Sequence, residues 1–226
     1  MDIKIFIAAH KKFTPPQENI YIPLHVGREG KEDFGYIGDN TGEHISEKNP
    51  NYCELTGMYW MWKNVTCDVI GLCHYRRYFV QNDTILTKNY IEQVMNGYDM
   101  IIGNSSMSPH GSVEEHYIHQ HGKQDLEICR QVLEQLAPDY LEAYDWCMTS
   151  NLMNLGNMVI TTKKLYDAYC AWLFPILFEI EKQTDISGYD TYQARIYGFL
   201  SERLFRVWIT QQEIRVREEE IRQIEG

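Results

Sequence analysis

Apolar residues in this chain cluster into short runs that alternate with stretches of helical period. Residues 3–9 are almost continuously apolar and end in His10-Lys11-Lys12, the pattern of a strand buried on both faces. A second extended piece, residues 20–26, follows Pro15-Pro16, and the Gly-, Asp- and Asn-rich residues 35–42 form an ordered loop. Asn49-Pro50 opens a helix that runs to about Asn64, with Asn49 as N-cap and Tyr52, Leu55, Tyr59 and Trp62 on one face. Gly57 in its middle costs about 1 kcal/mol relative to Ala, so another group is expected to pass close by. Residues 68–73 form the next buried strand, ending in His74-Tyr75-Arg76-Arg77, and residues 98–102 another. Helix follows over 113–144 with a break at Pro138, then a strand over 155–161. Two more helices cover 163–182, kinked at Pro175, and 190–210. Strands alternating with helices predict an α/β domain over 1–212, with a mostly parallel central sheet flanked by helices. The charge-dense residues 213–226 are expected to be an exposed helix or tail.

Composition narrows the function classes. With 226 residues, 44% hydrophobic and 23% charged, the chain has the balance of one ordinary globular domain. Its 21 Lys and Arg against 32 Asp and Glu leave a net charge of −11, which argues against a nucleic-acid partner. Residues 169–180, the longest apolar run, contain Pro175 and are too short to cross a bilayer. The N-terminal apolar stretch lacks a basic flank and reads as a first strand rather than a signal peptide, so a cytoplasmic protein is expected. Six cysteines without a Cys-x-x-Cys pair read as small buried hydrophobes in a reducing compartment. The 16 Tyr and 5 Trp suit sugar faces and ordinary cores equally well.

In open α/β sheets ligands bind outside the carboxyl ends of the strands. Two such ends here are cationic, His10-Lys11-Lys12 and His74-Tyr75-Arg76-Arg77, and Arg pairs with phosphate oxygens in bidentate fashion. Neighbouring strand residues face opposite ways, so Arg76 and Arg77 reach one ligand only if the strand has ended. The competing reading makes both clusters solvated strand ends paired with carboxylates. Asp39 and Asn40 lie in a Gly-flanked loop and suit either a base or ribose contact or plain turn chemistry. Glu54 stands near a helix N-terminus, where the dipole favours an acid regardless of function. His116 and His119 have the spacing of a metal-binding pair but lack a third ligand, leaving His119 or His121 for substrate hydroxyls. Asp190 opens a helix beside Tyr189 and is either its cap or a general base.

With those residues in view, the chain resembles the bacterial DUF4422 family of capsule, O-antigen and exopolysaccharide gene sets. The likeness is carried by Ile5-Phe-Ile-Ala-Ala-His-Lys-Lys, Tyr21-Ile-Pro-Leu-His-Val-Gly, Gly35-Tyr-Ile-Gly-Asp-Asn-Thr-Gly and the segment from Ile45 to Asn64. It continues in Ile70-Gly-Leu-Cys-His-Tyr-Arg-Arg-Tyr-Phe, Asn157-Met and Ser187-Gly-Tyr-Asp through Phe199-Leu-Ser-Glu-Arg-Leu. The resemblance implies a GT-A-like single nucleotide-binding domain acting as a glycosyltransferase. A hexose, galactofuranose among the options, would pass from a UDP-sugar to a saccharide acceptor carried on a membrane lipid. The work would be done at the inner face of the membrane, by peripheral association, although residues 213–225 are too mixed in charge for a basic anchor.

Many GT-A enzymes hold a divalent metal with Asp-x-Asp, a motif missing at the end of the 68–73 strand. No metal or other cofactor is therefore expected, and Arg76, Arg77 and His74 would meet the charge on the leaving diphosphate. By the same analogy Asp190 is the expected base, and Asp190→Asn is expected to keep the fold and lose transfer. Donor contacts are assigned to Ala9, His10, Lys11, Asp39, Asn40, Glu54, Tyr75 and Arg77, and acceptor or sugar contacts to His119, His121, Asn157 and Tyr189. The alternative is a non-catalytic nucleotide-sugar or carbohydrate-binding module. A metal-dependent hydrolase built on His116 and His119 is a weaker rival.

Overall fold

A computed structural model describes residues 1–224. The chain begins with β1 (Ile3–Ala9), β2 (Tyr21–His25) and β3 (Ile37–Gly38), then α1 (Asn49–Tyr52) and α2 (Leu55–Asn64). Next come β4 (Val69–His74), β5 (Arg77–Gln81), β6 (Thr84–Ile85), α3 (Lys88–Met95), β7 (Met100–Gly103) and β8 (Ser106–Met107). A helical stretch follows: α4 (Val113–His121), α5 (Gln124–Leu136) and α6 (Leu141–Thr149), with a 3-10 turn at Pro138–Tyr140. The chain finishes with β9 (Leu152–Met153), β10 (Val159–Thr162), α7 (Lys163–Gln183), α8 (Ile196–Gln211) and β11 (Val216–Gln223).

Nine strands form one sheet in the order β3-β2-β1-β4-β10-β7-β11-β5-β6. The α/β expectation is met, but the sheet is mixed rather than mostly parallel. β1 runs parallel to β2 and β4, and β7 runs parallel to β11. β10 enters antiparallel between β4 and β7, after the chain has passed through α4, α5 and α6. Along β1 the side chains divide cleanly. Phe6 and Ala8 join the large core under the helices, while Ile3, Ile5, Ile7 and Ala9 join a smaller core on the other face. β4 repeats this with Ile70 and Leu72 against Val69 and Cys73, so both strands are buried on two faces as their apolar runs predict.

Residues 213–226 require a correction. Up to Gln223 they hold β11, a strand inside the sheet, and not an exposed helix or tail. Backbone ladders to β5 and β7 fix it, and its charges are consumed by neighbours: Arg217 bonds Glu219, and Arg222 pairs with Asp83 and Glu220. Residues 225–226 lie outside the described residues.

The 49–64 helix is broken in two. Cys53 adopts φ +52, and the Asn49 side chain, instead of capping the start, donates from Nδ2 to the Cys53 carbonyl at 2.7 Å. Gly57 has the close neighbour its position implied: a Cβ there would stand 2.7 Å from Val26 Cγ1 and 3.0 Å from Leu24 Cδ2. Overpacking costs about 1–3 kcal/mol and the helix gain of Gly→Ala is about 1 kcal/mol, so Gly57→Ala is expected to destabilise. Thermal melts should show a fall of a few degrees; a higher melting temperature would contradict the close-packing explanation.

Candidate active site

β4 stops at His74, and Tyr75-Arg76 form a two-residue turn that returns the chain into β5, with His74 paired to Arg77. The strand has therefore ended, and Arg76 and Arg77 both line a single cleft. That cleft, about 1010 Å³, opens at the carboxyl ends of β1 and β4 beneath α4 and α8. Its size exceeds what a drug-sized ligand needs. A separate apolar cavity behind Glu202, lined in part by Met148 and Leu152, is only about 10 Å³, space for at most one water.

One wall is cationic. His10, Lys31, Arg76, Arg77 and Arg195 line it, and none of them forms an ion pair with a carboxylate among the described residues. Burial lowers the His10 pKa, and the positive charges of Lys11, Arg76, Lys31 and Arg195 push the same way. Tyr75 forms the base of this wall, with the Arg76 guanidinium 4.9 Å from its ring centroid and the His10 ring edge-on at 5.2 Å. The turn is braced at two points: the Tyr75 N–H donates to the Ala8 carbonyl (3.1 Å), and the Ile224 N–H donates to the Arg76 carbonyl (2.9 Å). A flexible loop would lose affinity in ordering itself; a braced hairpin loses less.

Two carboxylates, Glu54 and Glu202, line the same cleft. Glu54 Oε1 accepts from Asn157 Nδ2 at 2.7 Å, and Asn157 Oδ1 accepts from Ser201 Oγ at 3.1 Å. Glu202 accepts from the Gly156 N–H (2.7 Å) and from Arg203 Nη1 (2.9 Å). Gly156 (φ +96) and Asn157 (φ +49) take left-handed conformations, which turn the 154–157 loop so that its amides face these acids. The Gly156 carbonyl lies 2.8 Å from His74 Nε2, and burial lowers the His74 pKa. The side of the cleft near α4 is aromatic, with His121 stacked on Phe199 at 4.1 Å and bonded to Gln193, and with Tyr192 beside them.

The remaining sequence candidates sit elsewhere. Asp39 is fully buried and accepts from the Gly27 and Arg28 N–H groups, Ser46 Oγ and Thr56 Oγ1, so turn chemistry occupies both its oxygens. Asn40 bonds Glu29 outside the cleft. Ala9 is fully buried, Lys11 reaches over the Tyr75 ring, and neither lines the cleft. Asn157 positions Glu54 instead of facing the cleft itself. His119 is exposed and stacks on His110, and Tyr189 donates to Asp125 at 2.6 Å. Asp190 is exposed, and its Oδ1 accepts from the Tyr192 and Gln193 N–H groups (2.9 and 2.8 Å), closing the turn ahead of the helix without capping α8 itself. It does not line the cleft. Among the described residues no three His, Cys, Asp or Glu side chains are grouped to hold a metal ion, so the His116 and His119 pair lacks the set a metal hydrolase needs.

Glu202, Arg195 and Phe199 were not singled out from the sequence. A signal was present: the three fall at i, i+4 and i+7 on one face of the last helix and its lead-in turn, opposite the buried Leu200, Leu204 and Val207.

Fold and cleft together define an α/β protein with an anion-receptive pocket at the carboxyl ends of its central strands. The profile described as Domain of unknown function (DUF4422) matches residues 4–213, and the chain belongs to that family. Among solved structures the chain is similar to WbbM, a bifunctional glycosyltransferase in its apo form, at 28% sequence identity and a TM-score of 0.94. The likeness covers 100% of this chain and 46% of the WbbM chain, so the present chain spans less than half of that enzyme. No curated protein matches it. No helix among the described residues is long and apolar enough to cross a membrane.

Proposed function

We propose that the chain is a glycosyltransferase that moves a hexosyl group from a UDP-sugar to a saccharide acceptor in surface-polysaccharide synthesis. The observation that carries this reading is the set of unpaired cations on one wall of the cleft, in a protein of net charge −11. These cations are exposed and have no carboxylate partner, so their charge is available to a ligand, and an anion bound there would gain charge-assisted hydrogen bonds. A diphosphate fits the spread of Arg76, Arg195, Lys31 and His10. When the sugar–phosphate bond breaks, these groups meet the charge that builds on the leaving oxygen. The likeness to WbbM supports the same class of reaction. Galactofuranose as the hexose, a lipid-linked acceptor and action at the inner face of the cytoplasmic membrane follow from the family resemblance, and complete the proposal.

The test is calorimetric titration with UDP, followed by a panel of UDP-hexoses with saccharide acceptors, each with and without EDTA. UDP is expected to bind, one donor to be turned over, and EDTA to change the rate by no more than about twofold. UDP binding without transfer or hydrolysis across the panel would make the chain a binding module. Collapse in EDTA with recovery in Mn²⁺ would remove the metal-free part of the proposal.

A further inference from the structure

We propose that Glu202 is the catalytic base of this reaction, taking the proton from the acceptor hydroxyl while the 154–157 loop holds its carboxylate against the cleft. The inference rests on the transferase reading above and assigns the proton-accepting residue within the same site.

Only Glu54 and Glu202 among the described carboxylates line the cleft, and their surroundings differ. Glu54 is tethered through Asn157 to Ser201, an arrangement that fixes a charge in place. Glu202 receives one donor on each oxygen, Gly156 N–H on Oε1 and Arg203 Nη1 on Oε2. A carboxylate has about four lone-pair sites, so it keeps acceptor capacity for a hydroxyl. Its side chain is 17% exposed, enough to meet a ligand in the cleft without being bathed in solvent. The groups around it are Arg203 and Arg206 on its own helix, His74 at the end of β4, Arg77 in β5, Glu54 before α2 and His116 on α4. Burial pushes the Glu202 pKa up to about 7; the Glu54 charge adds to this, and Arg203, the Gly156 N–H and Arg77 oppose it. A base that titrates near neutrality is both ionised and able to accept a proton at the working pH.

The step balances as a single displacement. The acceptor O–H gives its proton to Glu202, and the freed oxygen pair forms the new bond to the anomeric carbon. The bond from that carbon to the diphosphate oxygen breaks, and its electron pair leaves with the UDP toward Arg76 and Arg195. Configuration at the anomeric carbon inverts.

The experiment compares wild type with Glu202→Gln, whose amide oxygen still accepts from Gly156. Transfer kcat/KM is expected to fall about 10²–10⁴-fold in the variant while UDP affinity stays within about threefold. Wild-type kcat/KM should fall about tenfold per pH unit below about 7 and level off above it, because only the ionised carboxylate accepts a proton. If Glu202→Gln does not fold, the wild-type profile and the anomeric configuration of the product decide. A Gln variant with near-normal transfer, a flat wild-type profile, or a product of retained configuration would each overturn the assignment, as would an activity loss in Asp190→Asn that Glu202→Gln does not show. Failure of the wild type to bind UDP would instead overturn the transferase reading, which keeps the two failures apart.

Discussion

Asp39→Ala is expected to lose about 3–5 kcal/mol of stability, because it removes a buried carboxylate on which four donors converge. Oδ2 takes the Gly27 N–H at 2.7 Å and the Thr56 hydroxyl at 2.6 Å, and Oδ1 takes the Arg28 N–H at 3.0 Å together with the Ser46 hydroxyl. The hydroxyls can turn elsewhere. The two main-chain N–H groups cannot, and with the fully buried Asp39 carboxylate gone they lose their acceptor. Asn is no rescue, since its amide nitrogen would face donors on one side. The hub joins the turn after β2 to the 3-10 turn Ser46–Lys48 before α1 and the first turn of α2, so it sets the frame on which Val26, Asn49 and Glu54 meet the cleft. For a urea m-value of about 2 kcal/mol/M the midpoint should fall by about 1.5–2.5 M. A ribose-binding role predicts the opposite split: UDP affinity lost and the midpoint unchanged. That split would return Asp39 to the donor site.

This residue shows how far sequence reasoning reaches. Asp39 in Asp-Asn-Thr-Gly has two readings that differ only in which donors surround it, and those donors come from three segments that the fold brings together. Asp190 is the same kind of case: in the structure its carboxylate meets the backbone N–H groups of its own turn, which the sequence alone does not reveal. What local chemistry controls was legible. The two-faced burial of β1 and β4 followed from uninterrupted apolar runs, and the close contact at Gly57 followed from a glycine that a helix has no other reason to keep. Ser112 and Glu115 form a full capping box at the start of α4, a pattern readable in Ser-x-x-Glu, and it fixes the helix that carries His116 and His121 to the cleft. What long-range pairing controls was hidden. β11 has no apolar alternation to announce a strand; its place is set by hydrogen bonds to β5 and β7, and its charges are met by residues such as Asp83 and Tyr90, far away in the chain. The cationic strand ends were visible in sequence, whereas placing the carboxylates in the same cleft required the left-handed turn at Gly156 and Asn157, which contacts both α8 and β4.

Truncating the cationic wall should separate anion binding from everything else. In Arg76→Ala combined with Arg195→Ala, UDP is expected to bind about 10²–10⁴-fold more weakly, since a hydrogen bond to a charged group contributes about 1.5–3 kcal/mol and two are removed. Fold stability should barely move: the Arg76 side chain is exposed, and the contact that braces its turn is the main-chain bond from the Ile224 N–H, which truncation leaves in place. Arg195 donates from Nε to Cys53 Sγ at 3.1 Å, a weak acceptor, so its loss costs little there. Uridine, which lacks the diphosphate, should bind both proteins equally. The wild-type UDP affinity should also fall with added salt more steeply than that of the double variant, because screening acts on the charges that have been removed. Equal UDP affinity in the two proteins would mean that the hairpin turn points its charge at no phosphate, and would take the leaving-group chemistry away from Arg76 and Arg195. Loss of uridine and UDP binding together would place the nucleoside, rather than the diphosphate, against this wall.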